Sequence, residues 1–122
     1  MPHEHVIAEF GRRMGLPSLA MERDKPAQLH IEGMGSLFIE QAEEEILLYL
    51  ARDFPMYDRD APRRALALCR RDLARPFPVH AGLYKNNTLI FLTRFSAKTF
   101  SLQGLEQAVP ALSRLLDEAL NP

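Results

Sequence analysis

Along this chain of 122 residues the apolar positions change their period several times, and each change marks an element. Near the N-terminus Val6, Ile7, Phe10 and Met14 fall on one helical face, with Glu4, Glu9, Arg12 and Arg13 largely around the rest. Gly15 suits the position just past a helix end, and Pro17 opposes continuation. Residues 17–26, rich in proline and charge, read as a connection. The period then becomes two. Ala27, Leu29 and Ile31 alternate with Gln28, His30 and Glu32, as in a half-buried strand. Gly33-Met34-Gly35 supplies a turn, and Leu37 and Ile39 continue the alternation with Phe38 on the opposite face. Gln41 to Glu44 is a polar break without an Asn-Gly type of turn signal. Ile46, Leu48 and Leu50 then alternate with Leu47 and Tyr49, so this strand is apolar on both faces. Three strands with short breaks predict an antiparallel meander.

Asp60 is a candidate N-cap for a second helix, with Pro62 in its first turn and its end at about Arg75, before Pro76. Ala65, Leu66, Cys69 and Leu73 form its apolar arc, and Arg63, Arg64, Arg70, Arg71 and Arg75 lie opposite. Two further strands, Val79 to Tyr84 and Thr88 to Phe95, flank Lys85-Asn86-Asn87, a good hairpin connection because Asn tolerates positive φ. From a cap at Ser101 the spacing of Leu102, Leu105, Val109, Leu112 and Leu116 predicts a last helix, which Pro110 should kink or split. The order helix, three strands, helix, two strands, helix is an α+β arrangement, an antiparallel sheet with packed helices. The absence of strict βαβ alternation argues against a Rossmann-type sheet.

Composition narrows the class. With 47% hydrophobic and 25% charged residues, residues 1–122 read as a single globular domain and not as a disordered chain. Apolar runs such as Ile46 to Leu50 are strand-length, far short of the roughly 20 residues of a membrane helix, so no membrane insertion is expected. Met1-Pro2-His3-Glu4-His5 does not read as a signal peptide. The single cysteine, Cys69, excludes an internal disulfide framework and fits a reducing cytosol. A net charge of −1 gives no global argument for nucleic acid or an anionic membrane.

Candidate chemistry is sparse. His3 and His5 invite a metal reading, but Pro2 has no amide proton to lose to a copper ion, so a frayed, solvated terminus is the better account. Cys69, in the apolar arc, reads as a buried thiol and not as a nucleophile. His30 and His80 lie in strands as structural histidines, Gly33 and Gly35 mark a turn, and Glu43-Glu44-Glu45 is a solvated charge run. No GxSxG, HExxH, CxxC or P-loop pattern occurs, so no catalytic residue, metal site or cofactor is expected. The second-helix arginines are the one electrostatic candidate, facing an acidic partner or, in a nucleic-acid-binding regulatory module, phosphate; the absence of stacking aromatics on that face weakens the second use. The informative feature is surplus apolar surface. Phe38, Leu47, Tyr49, Ile90 and Leu92 come in addition to one regular apolar sheet face, and three helices cannot easily cover both faces. Part of that surface is therefore expected to meet another chain, and exposed edge strands would suit an extended peptide.

The element order resembles the class I chaperones of bacterial type III secretion, and among them the SycN family. The residues that carry the likeness are Leu29-His30-Ile31-Glu32, Leu37-Phe38-Ile39-Glu40-Gln41, Leu48-Tyr49-Leu50-Ala51-Arg52, Ala81-Gly82 and the tail Glu118-Ala119-Leu120-Asn121-Pro122. The resemblance implies a non-enzymatic, cytoplasmic chaperone. It would bind the N-terminal segment of a secreted gatekeeper or effector in extended form, as a heterodimer with a second small chaperone of the YscB type or as a homodimer. It further implies a dimer interface at Leu66, Cys69, Leu73, Val79, Ala81 and Leu83, and a client surface at Val6, Phe10, Leu29, Ile31, Phe38 and Leu48. Arg63, Arg64, Arg70 and Arg71 would face an acidic partner. The near-neutral charge and Pro110 depart from the family pattern, which is acidic with an unbroken last helix.

Overall fold

The computed structural model describes residues 2–15, 27–70 and 77–121. Its elements run α1 (Pro2–Arg13), β1 (Ala27–Ile31), β2 (Gly35–Ala42), β3 (Glu45–Asp53), α2 (Ala61–Leu68), β4 (His80–Tyr84), β5 (Thr88–Ser96) and α3 (Leu102–Leu120). The five strands form one antiparallel sheet in the order β1-β2-β3-β5-β4. The order and type of elements are those the periodicity predicts, and the first three strands are the expected meander.

Register follows from the pleat. Ala27 pairs with Ile39, Ile39 with Leu48, Leu48 with Thr93, and Ala81 with Phe91, so these residues share one face. That face and the helices make one core: Ile7 and Phe10 from α1, Ala61 and Ala65 from α2, and Leu105, Val109, Leu112 and Leu116 from α3 join Leu37, Ile39, Ile46, Leu48, Leu50, Leu89 and Phe91. The buried hydroxyl of Thr93 donates to the Pro78 carbonyl at 2.5 Å, which satisfies it and anchors the segment entering β4.

The turns use backbone conformations that local chemistry favours to different degrees. Gly15 has φ +75° and its N–H donates to the Arg12 carbonyl at 3.2 Å, closing α1. At Gly35, φ is +123° and a Cβ would stand 2.2 Å from the Ala51 carbonyl oxygen, so only glycine fits between β2 and β3. The β2–β3 turn is only Glu43-Glu44, with Gln41 and Ala42 still in the strand; the positive φ falls on Glu43. In the β4–β5 hairpin it falls on Lys85, not on either asparagine.

Two helices correct the sequence reading. α2 ends at Leu68, with Cys69 as its C-cap, instead of running to about Arg75; Leu73 and Arg75 lie outside the described residues. Its buried residues are Ala61 and Ala65, one turn apart, which pack it closely on α3, while Leu66 is turned outward. Asp60 precedes it without a side-chain capping bond. α3 is not split at Pro110 but runs on through it. The proline deprives the Glu106 carbonyl of its helical donor, and Glu106 is exposed, so water is available to that carbonyl. Ser101 caps α3 as predicted, accepting from the Gly104 N–H at 3.1 Å.

Two arginines bolt the layers together. Arg52 donates from Nε to the Met34 carbonyl (2.9 Å) and from Nη1 to Asp117 (2.6 Å), tying the β1–β2 turn to α3. Arg64 donates from Nε to the Ala119 carbonyl (2.6 Å) and from Nη2 to Asp58 (2.5 Å), tying α2 to the end of α3. An ion pair from Arg13 to Glu106 (3.0 Å) ties α1 to α3, and Glu9, one turn back in α1, lies 3.5 Å from the same guanidinium.

Candidate functional site

The residues between those of the core face form the other side of the sheet. Pairing places them in rows: Glu40, Leu47 and Arg94; then Phe38, Tyr49, Leu92 and His80; then Ser36, Ala51, Ile90 and Gly82. Phe38, Leu47, Tyr49, Ile90 and Leu92 are half-buried and do not belong to the cluster that the three helices complete. The surplus apolar surface read from the sequence is therefore concentrated on this face, and the described helices pack on the opposite one.

The face has a definite shape. The Phe38 and Tyr49 rings stack at 4.8 Å with planes 11° apart, a rigid aromatic plate on the two central strands. Beside it runs an open groove of about 390 Å³ lined by Glu40, Leu47, Tyr49, His80, Ala81, Gly82, Ile90 and Leu92. Gly82 opens the groove: even a Cβ there would meet nothing within 4 Å, and the missing side chain leaves the space over Ile90 empty. The Tyr49 hydroxyl donates to Glu40 at 3.4 Å. Burial, then the charge of Glu40 and that hydrogen bond, push the Tyr49 phenol above its ordinary range, so it stays protonated and a donor.

A second apolar region lies at α2 and the edge strand β4, which pack against each other. Leu66 is 65% exposed and Leu83 48%, and Tyr84 is exposed beside it; Met56 and Tyr57, in the segment before α2, are exposed as well. As an edge strand β4 offers unpaired backbone groups along one side.

The client residues implied by the resemblance do not form one surface. Phe10 and Leu48 are fully buried in the core, where no client reaches them without unfolding the layer contacts. Val6, Leu29 and Ile31 are half-buried against that core, and Phe38 alone lies on the open face. Of the interface residues, Leu66 and Leu83 present free apolar surface; Val79 is buried, Ala81 packs on the core, Cys69 is half-buried at the end of α2, and Leu73 is outside the described residues. Arg63 and Arg70 are exposed and Arg71 is outside the described residues. Arg64 does not belong to an outward basic face, because its guanidinium is engaged by Asp58 and Ala119. That engagement also holds the Asp58 carboxyl below the usual carboxylate range, chiefly through the hydrogen bond from Arg64. Glu40 and Gly82 stand in segments that carry the family likeness, and His80 in an alternating strand, but nothing along the chain singles out the three as lining one groove.

Among the described residues no group of three His, Cys, Asp or Glu side chains is placed to hold a metal ion. No helix among them is long and apolar enough to cross a membrane. The arrangement offers apolar contact, an edge and a carboxylate.

Comparison with known proteins gives this surface its setting. A family model described as type III secretory system chaperone SycN matches residues 3–120. Chaperone protein SycN of Yersinia enterocolitica is 29% identical over 120 residues, covering 98% of this chain and 97% of that protein. Among solved structures, a chain of the HopA1–SchA chaperone–effector complex has a TM-score of 0.74 at 16% identity, covering 98% of this chain and 94% of that one. A chain of the ExsC–ExsE complex has a TM-score of 0.67 at 23% identity, covering 97% and 88%. The fold is thus that of these complexes' subunits, and the chain belongs to the SycN family of type III secretion chaperones, proteins that assist export and are not enzymes.

Proposed function

We propose that this chain is a cytoplasmic chaperone subunit that holds the N-terminal region of a secreted gatekeeper or effector protein in extended form and keeps it export-competent. Its assembly is a heterodimer with a YscB-like chaperone, formed through α2 and β4. The observation that carries the reading is the open sheet face, where Phe38, Leu47, Tyr49, Ile90 and Leu92 remain half-exposed beside a complete core. An unfolded export client exposes apolar side chains that need cover, and ordering it costs entropy that only a long contact offsets. The likeness in fold to a chain of a chaperone–effector complex supports the same use. The exposed Leu66 and Leu83 support a protein partner at α2 and β4.

The test is a mass determination by light scattering on size-exclusion chromatography. Purified chain is mixed with the YscB-like chaperone and the gatekeeper N-terminal fragment of the same secretion system. The expected result is one copy of each in a discrete complex. Leu66→Glu with Leu83→Glu removes the partner subunit while circular dichroism stays native. A stable monomer that ignores both components refutes the proposal; two copies of this chain on one client replace the heterodimer with a homodimer.

A further inference from the structure

The open face carries its charges unevenly. Arg94 lies 3.9 Å from Glu45, so the cation in that row already has a carboxylate beside it. Glu40, in the same row, is half-buried and lines the groove with Leu47, Tyr49 and Leu92. Its hydrogen-bond partner among the described residues is the Tyr49 hydroxyl, and at 3.4 Å that bond is long. No lysine or arginine among the described residues pairs with it. A carboxylate flanked by apolar side chains sits in a lower effective dielectric than one on an open surface. A cation brought to it gains more there, and an anion is repelled more strongly. The groove floor beside it is apolar and, at Gly82, unfilled.

Resting on the reading of this face as the client surface, we propose that the groove selects an extended segment in which an aliphatic side chain is neighboured by Lys or Arg. The aliphatic side chain occupies the space over Ile90 and Gly82, and the cation pairs with Glu40. Glu40 is thereby a specificity residue, and clients with an acidic residue at that place are rejected.

The experiment uses three fluorescein-labelled synthetic peptides of alternating Leu and Ser that differ at one central residue, Lys, Gln or Glu. Binding to the full-length chain is read by fluorescence anisotropy. The Lys peptide is expected to bind about fivefold more tightly than the Gln peptide, with the Glu peptide weakest, and the preference to shrink with added salt. Glu40→Gln makes the Lys and Gln peptides equal. Gly82→Leu weakens all three alike, because its side chain takes up the space the aliphatic residue would fill; the backbone there is not in the left-handed region and a Cβ meets nothing within 4 Å, so the strand accepts it. Equal affinities for Lys and Gln peptides on the unsubstituted chain, or a Lys preference that survives Glu40→Gln, overturns the selection rule. If Gly82→Leu still weakens binding in that case, the groove remains the client surface and only the rule is lost. If Gly82→Leu changes no affinity, or no peptide binds, the groove is not the client surface and both ideas fail.

Discussion

Leu47 and Leu48 are neighbours in β3 with the same side chain and opposite surroundings. Leu48 is fully buried between its register partners Ile39 and Thr93, under the helices. Leu47 is half-buried on the open face, between Glu40 and Arg94. Truncating Leu48 to Ala removes its buried atoms and leaves an enclosed cavity in the middle strand of the sheet, where Ile39 and Leu50 are fixed by pairing and cannot close the gap. The expected loss is about 3 kcal/mol. With an unfolding entropy of about 2.1 cal/mol/K per residue over 122 residues, each kcal/mol lowers Tm by about 4 °C, so the midpoint falls by about 12 °C. In urea, with a slope of about 2 kcal/mol/M, the midpoint moves by about 1.5 M. Leu47→Ala leaves no enclosed void and forfeits only part of a transfer term, so its loss stays within about 1 kcal/mol and about 4 °C. Both variants are melted as isolated chains at equal concentration, so that partner binding does not shift the midpoints. The same pair is then titrated with client fragment, where the order reverses: Leu47→Ala weakens binding, and Leu48→Ala changes it little at temperatures where it is folded. Equal thermal losses for the two leucines would refute the assignment of faces, and with it the open face as a site.

Other expectations rest on single contacts. Gly35→Ala combines a strained φ of +123° with a Cβ 2.2 Å from the Ala51 carbonyl oxygen, and should destabilise by about 3 kcal/mol or more in thermal melts. Gly33→Ala, at φ +85° in open space, should lose only about 1 kcal/mol in the same assay. The Asp58 carboxyl is held low by Arg64, so the stability it contributes is present above the unfolded carboxylate range and is lost as pH falls through its lowered folded value. Melts across the acid range should show that loss in the unsubstituted chain and a smaller one in Arg64→Met. At neutral pH, Arg64→Met should also forfeit about 1 kcal/mol for the bond to the Ala119 carbonyl.

Much of the architecture could be read along the chain because its causes are local. A period of two from Ala27 to Leu50, a period of three to four from Leu102 to Leu116, and Gly15, Gly35 and Ser101 at the boundaries place α1, the first three strands and α3 near their observed positions. The errors lie where tertiary contacts override local preference. α2 reads too long in the sequence because its arginine-rich pattern continues past Leu68. Packing on α3 selected the small pair Ala61 and Ala65 in place of the bulkier Leu66. In the sequence Arg64 is one more surface cation; only the fold brings the end of α3 within reach of its guanidinium.

The open sheet face divides in the same way. The sequence alone determined that β2, β3 and β5 carry apolar residues on both faces, because alternation separates two sets of side chains and both sets contain leucine, isoleucine or an aromatic. It could not determine which set is the core, since the two faces of a strand are equivalent until something packs on one of them. The three helices make that choice by placing their apolar stripes on the side of Leu48, which buries Leu48 and Phe10 and leaves Leu47, Tyr49 and Phe38 outward. The groove arises at the same level, because Gly82, Ile90 and Glu40 come from three strands that only sheet pairing brings together.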